Sequence, residues 1–284
     1  MFQLKNTYVT GNRVHLFPFY RFNPIYGKVN IAFVNDIRSK QYSLMGCKKE
    51  SSQYLSLDKS RFRSLSAMIT LNQPFAEDIF RWYGKEESEI DWFQFLSYPS
   101  KIETVSPKRR EIVFIDNSSV LFQDEFYNKL IHFLDTVGYE FNIPTKLVCS
   151  NIEFADKLNK RYKTNRTKCL SIYDYDYRSE YGILVDVANY GYLTLCLPRK
   201  LMIYLHCGMK VLVQYVFTES IKFMKDNGVT PLIFDEIHTI EGLDKGARKY
   251  NRHKFSMDNQ INRLIDFLND VENSRKYESK IYYP

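Results

Sequence analysis

Two adjacent cations, Arg199 and Lys200, follow directly on Pro198. Proline suits the first turn of a helix, where its missing N–H is no loss. Leu197, Leu201, Tyr204 and Leu205 then fall on one apolar face at helical spacing. Both cations therefore lie in a first helical turn, where the backbone already leaves partial positive charge. An anion bound at that end would reverse the balance, because free backbone N–H groups and a lysine can share a phosphate. The plainer alternative is a solvated basic turn, which costs only about 0.3–1 kcal/mol per contrary charge. A second polar group, Asp116-Asn117-Ser118-Ser119, follows the apolar run Glu111–Ile115. Such a loop can present backbone N–H groups to a ligand, although an ordinary turn has the same composition. Asp36 stands just beyond the run Val29–Val34. Polar side chains at the carboxyl end of a parallel strand gather where ligands bind, and an aspartate capping a helix would occupy the same place.

The elements that must position these residues are strands alternating with helices. From Asn189 to Glu236 the pattern predicts helix, strand, helix, strand. Gly208 ends the first helix, and Met209–Val213 is a short apolar run of the kind buried in parallel sheets. Thr218 is placed to cap the next helix, with Glu219 in its first turn; Asn227-Gly228 ends it and Pro231–Phe234 gives another strand. Upstream, Glu111–Ile115, Lys146–Cys149, Leu170–Tyr173 and Tyr181–Val187 read as strands, with helices over Asp124–Val137 and Ile152–Tyr162. Before the polar connector Ser106–Arg110, Val29–Val34, Ala67–Thr70 and Ile90–Leu96 read as strands, with a helix from Asn72 to Trp82 closed by Gly84. Pro18 demotes the run Val14–Tyr20, and 40–58 is irregular by periodicity. Gln260–Val271 is an amphipathic closing helix. The expectation is an α/β chain in two domains, residues 1–105 and 106–284, divided at the connector.

Composition narrows the function classes. The chain has 284 residues, 44% hydrophobic and 16% aromatic, enough for a sizeable core. The net charge of +7 suits a phosphorylated ligand or an anionic membrane face and falls short of a dedicated nucleic-acid binder. Five cysteines with no C-x-x-C pair argue against a metal framework or a disulfide scaffold, and so for a reducing compartment. No apolar run reaches transmembrane length, and the start lacks a signal-peptide pattern. There is no G-x-G-x-x-G and no P-loop.

Several segments, in order, carry a family resemblance. They are EIVFIDN at Glu111–Asn117, YGILVDV at Tyr181–Val187, ANYGYLTLCLPRKLMIYLHCGMKVLV at Ala188–Val213, ESIKFMKDNGVTPLIFDEI at Glu219–Ile237 and KFSMDNQINRLIDFL at Lys254–Leu268. Together they resemble the nucleotide-binding half of a GT-B glycosyltransferase, closest to the bacterial accessory glucosyltransferases and β-1,6-galactofuranosyltransferases. VNIAFVNDI at Val29–Ile37 is similar to the acceptor-domain strand ending in His-Asp, with Asn35 in place of the histidine. Only 28 residues precede Val29, so the resemblance implies a shortened N-terminal Rossmann-like domain, or a truncated reading frame. Lys210 stands where the family has a proline.

The resemblance implies a transferase that moves a sugar from a nucleotide-diphosphate donor, such as a UDP-sugar, to a glycan or lipid-linked acceptor in surface polysaccharide or glycoconjugate synthesis. No metal and no cofactor are implied, and Asp174-x-Asp176 is a loop feature. Lys200, with Arg199 beside it, would stabilise the diphosphate. Asn117, Ser118 and Ser119 would line the donor pocket, Asn189 and Thr194 would reach sugar or phosphate, and Tyr173 would stack on the base. Asp36 is the acceptor-side base. A homo-oligomer, a cytoplasmic location and peripheral contact with the inner membrane face complete the expectation. The competing reading is a non-catalytic nucleotide-sugar-binding subunit or degenerate transferase that kept the donor half.

Overall fold

The computed structural model describes residues 9–10, 14–20, 23–44, 46–84, 90–94, 109–116, 124–149, 152–162, 166–187, 195, 197–237, 239, 242–243 and 257–281. The chain divides into two compact units, residues 1–97 with 255–284, and residues 98–254.

The first unit holds a five-stranded sheet of β1 (Val9–Thr10), β2 (Val14–Pro18), β3 (Val29–Phe33), β4 (Ala67–Thr70) and β5 (Asp91–Gln94), in that spatial order. β1 is antiparallel to β2, and every later neighbour is parallel. The run that Pro18 argued against is a strand after all. Pro18 is its last residue, opposite Phe33, so the missing N–H breaks nothing in the ladder's interior. The stretch read as irregular contains two helices, α1 (Arg38–Leu44) and α2 (Lys48–Arg63). Periodicity missed α2 because two of its three buried residues, Ser51 and Asp58, are polar; only Phe62 is apolar. α3 (Gln73–Tyr83) begins with Pro74 in its first turn and ends at Gly84, whose φ of 73° is open to glycine at no steric cost.

The last helix, α8 (Met257–Ile281), belongs to this unit and not to the second, where the sequence grouping had put it. Leu264 and Val271 pack with Ile31, Phe33, Ala67 and Ile69 of the sheet, and the Phe267 ring stacks on Phe93 at 5.0 Å. An amphipathic pattern shows that a helix has a face to bury, and leaves open which sheet receives it.

The second unit is a six-stranded, all-parallel sheet. Along the chain run β6 (Arg109–Ile115), α4 (Asp124–Glu140), β7 (Thr145–Cys149), α5 (Ile152–Arg161), β8 (Thr167–Ser171), β9 (Ser179–Leu184), α6 (Arg199–His206), β10 (Lys210–Val213), α7 (Thr218–Asp226) and β11 (Leu232–Ile233). The spatial order is β11-β10-β9-β6-β7-β8. The chain builds outward from β6 in one direction, then returns to β6's other side and builds outward again, which is doubly wound Rossmann topology. Thr218 is the first residue of α7 and not its cap; Phe217 precedes it and no side chain caps that end. The final strand is short, and Phe234–Glu236 turn into a 3-10 helix. Both units are α/β with Rossmann-like parallel strands, the expected fold class.

Candidate functional site

In a doubly wound sheet, ligands bind beyond the carboxyl ends of the strands where the winding reverses. Here that point lies between β6 and β9. Their ladder pairs Ile112 with Tyr181 and Val113 with Gly182, and stops there. On the outer sides pairing runs further: Ile115 pairs with Val148 and Leu184 with Val213. The two central strands therefore part while their outer neighbours hold.

Tyr204 of α6 occupies the parting. Its hydroxyl accepts the Ile115 N–H at 3.0 Å and donates to the Ile183 carbonyl at 3.3 Å. A continuing parallel ladder would join that amide and carbonyl directly. The ring is fully buried, and burial pushes the phenol's pKa up, so it stays a neutral donor. Gly182 leaves the space for it.

One turn before Tyr204, on the same face of α6, is Lys200. Its amine lies 3.8 Å from the centroid of the Phe114 ring, one residue beyond the last of β6 to pair with β9. Phe114 is buried, so the cation rests on an aromatic face at the carboxyl edge. Lys200 and Arg199 are both half-buried. Pro198 precedes α6 in extended conformation, and no side chain caps that helix end. The first turn thus keeps backbone N–H groups and two cations at one place.

Asp116, next after β6, is buried. Its carboxylate accepts the Tyr127 hydroxyl at 2.6 Å, and its own N–H donates to the Val148 carbonyl at 2.8 Å. It anchors the exit of β6 to α4 and β7. The Asp186 N–H, beyond β9, donates to the Gln214 side chain at 2.7 Å, which ties that exit to β10. Asp116 opens the polar loop already singled out in the sequence, whereas Asp186, read there as part of the strand Tyr181–Val187, lies beyond the end of β9 at Leu184. Asn117, Ser118, Ser119, Asn189 and Thr194 lie outside the described residues.

Tyr173 is 70% exposed in the turn after β8, its N–H donating to the Ser171 hydroxyl. β7 stands between β8 and β6, so Tyr173 is on the same edge but two strands from the parting. Asp176 is bound to Arg109 at 2.6 Å, which accounts for one half of the Asp174-x-Asp176 pair. Lys210 is buried at the start of β10, donating to the Leu243 carbonyl at 3.3 Å.

Asp36 belongs to the first unit, just past β3. It is half-buried and accepts a long 3.4 Å bond from the Gln41 side chain. Its backbone carbonyl accepts the Tyr20 hydroxyl, which in turn accepts the Arg38 N–H at 3.0 Å. Tyr20 lies 3.2 Å from the Tyr83 hydroxyl, and Tyr83 donates to Asp58 at 3.2 Å. Burial pushes Asp58 up to about 6 from 3.8. The loop that carries Asp36 is thus held by a chain of buried hydroxyls.

No protein-family model matches this sequence, and no curated protein matches it. Among solved structures, 81 chains match. Sucrose-phosphate synthase from Thermosynechococcus elongatus superposes with a TM-score of 0.54 at 10% identity, over 87% of this chain and 69% of that one. WaaG, a glycosyltransferase involved in lipopolysaccharide biosynthesis, gives 0.47 at 15% identity over 84% and 68%. The UDP-forming α,α-trehalose-phosphate synthase from Burkholderia vietnamiensis gives 0.45 at 9% over 87% and 72%. At such identities the likeness is one of fold. No helix among the described residues is long and apolar enough to cross a membrane. The chain has a glycosyltransferase-like α/β fold of the GT-B kind, built from two Rossmann-like units.

Proposed function

We propose that this protein is a glycosyltransferase that moves a sugar from a nucleotide-diphosphate donor to a glycan or lipid-linked acceptor, in surface polysaccharide or glycoconjugate synthesis. The observation that carries this reading is the placement of the Lys200 amine over Phe114, at the point where β6 and β9 part. In the reaction the bond between the sugar's anomeric carbon and the diphosphate breaks, and its electron pair leaves with the diphosphate. The acceptor hydroxyl forms the new bond and gives up its proton. Charge grows on the diphosphate, where a fixed ammonium and helix N–H groups stabilise it more in the transition state than in the ground state.

Arg199 adds to that field. Asn117, Ser118, Ser119, Asn189 and Thr194 are assigned to the donor pocket, and Tyr173 to the base. Asp36 is assigned as acceptor-side base. The nucleotide sugar is substrate, no cofactor takes part, and the cationic helix end takes the place of a divalent metal. A lipid-linked acceptor fits a protein working at the inner membrane face, as an oligomer or alone.

The test is thermal-shift screening with nucleoside diphosphates, followed by assay of nucleotide-sugar hydrolysis and transfer. A shift with one base, lost in Lys200→Ala, is expected. A shift that Lys200→Ala leaves unaltered removes Lys200 from the site, and no shift with any nucleotide overturns the proposal.

A further inference from the structure

Arg38 is a cation that the first unit holds against an aromatic ring, with no ion pair among the described residues. The guanidinium carbon lies 4.5 Å from the centroid of the Tyr20 ring. Tyr20 is itself immobilised, since its hydroxyl donates to the Asp36 carbonyl, accepts the Arg38 N–H and lies 3.2 Å from the Tyr83 hydroxyl. Arg38 Nε is buried and has no hydrogen-bond partner. No carboxylate among the described residues lies within ion-pair distance of Arg38. Asp58, whose charge Arg38 favours from further off, is engaged by Tyr83 and lies 3.9 Å from Arg61. A buried donor left unbonded costs about 1–3 kcal/mol, more when it belongs to a charged group. Arg38 begins α1 just past β3, at the carboxyl edge of the parallel strands and two residues after Asp36.

We infer that Arg38 binds an oxyanion, and, on the glycosyltransferase reading above, that this is a monoanionic group of the acceptor: a uronate carboxylate or a phosphodiester. The planar fork of a guanidinium matches two oxygens of either group, and a ring behind it fixes the plane of approach. The single charge follows from the neighbours. Lys40, the next cation on α1, is neutralised by both oxygens of Asp78 at 2.7 Å. Asp36, two residues before Arg38, opposes any larger negative charge. A single guanidinium with aspartates near it suits a monoanion better than a phosphomonoester.

The test reads the Arg38 Nε–H signal in a side-chain 1H–15N spectrum of the whole protein, where a buried Nε–H exchanges slowly enough to be seen. Glucuronate and glycerophosphoglycerol are the anionic probes, with glucose and glycerol as neutral controls, at constant ionic strength. Saturable movement with one anion and none with the neutral sugar or alcohol is expected, and the anion that acts distinguishes carboxylate from phosphodiester. Arg38→Lys is expected to weaken binding about tenfold, read from the Asp36 amide, because a lysine cannot form the two-point contact. No movement with either anion up to about 50 mM, the range of a single ion contact, overturns the inference, as does equal movement with sodium chloride. UDP binding by the same sample tests the donor reading separately. An Arg38 response without a nucleotide response keeps the anion site and removes the transferase.

Discussion

Gly182 and Tyr204 leave no room for a side chain between them: a Cβ on Gly182 would stand 2.3 Å from Tyr204 Cγ. The neighbour is the base of a rigid, fully buried ring that cannot swing aside. Gly182→Ala is therefore expected to destabilise the protein by about 1–3 kcal/mol through overpacking. Urea denaturation checks this. A change within about 0.5 kcal/mol, the range of neutral surface substitutions, would mean that the ring relaxes freely.

Tyr204→Phe tests the hydroxyl apart from the ring. It leaves the Ile115 amide and the Ile183 carbonyl facing each other across the parting with nothing between them. The expected cost is about 1–3 kcal/mol for the stranded amide. Hydrogen exchange at Ile115 should quicken relative to Ile112, whose backbone N–H donates to the Pro144 carbonyl. Equal protection in both proteins would show that β6 and β9 close without the hydroxyl.

Phe114→Leu removes the aromatic face under Lys200 while keeping an apolar side chain in the core. Stability should change by less than about 1.5 kcal/mol. Nucleoside diphosphate affinity should fall by about 2- to 30-fold, about 0.5–2 kcal/mol, as the ammonium loses its platform. Isothermal titration of wild type and variant separates the two effects; unchanged affinity would show that the ring does not orient the amine.

Asp58 makes stability depend on pH. Its carboxyl sits at about 6 in the folded protein against 3.8 ordinarily, raised by burial. The folded state therefore holds a proton that the unfolded state releases, between pH 4 and 6. Its contribution is fully present below pH 3.8 and is lost as pH rises through 6, at most about 3 kcal/mol. Asp58→Asn keeps an acceptor for Tyr83 without the charge. The variant should gain stability over wild type at pH 7 and little at pH 3.5, in denaturant melts at both values. An equal difference at both would place the titration elsewhere.

How much of this was legible depended on the kind of signal. β6, β7 and β10 could be read because a strand buried on both faces is an unbroken apolar run. α6 could be read because Pro198 and Gly208 bracket it. The cations at its start stood out by opposing the helix dipole, and the structure puts Lys200 at the edge where the winding reverses. α1 and α2 were illegible because polar Ser51 and Asp58 are among the residues they bury. Tyr204 read as one more core aromatic, since helical spacing shows which face is buried and says nothing of a hydroxyl. Tyr20, Asp58 and Tyr83 meet only through the fold, and a lone arginine at position 38 carries no pattern at all. Asn117, Ser118, Ser119, Asn189 and Thr194 lie outside the described residues.

α8 reverses the usual order of assembly. Domains generally form in the order in which the ribosome delivers them, but the first sheet waits for residues 264–271 to cover Ile31 and Ile69. Residues 98–254 are complete before those residues are made. Nascent chains arrested with residue 254 outside the ribosome should resist protease across the second unit and be cut within the first 97 residues. During synthesis the earlier half must be kept from aggregating while the later half finishes first.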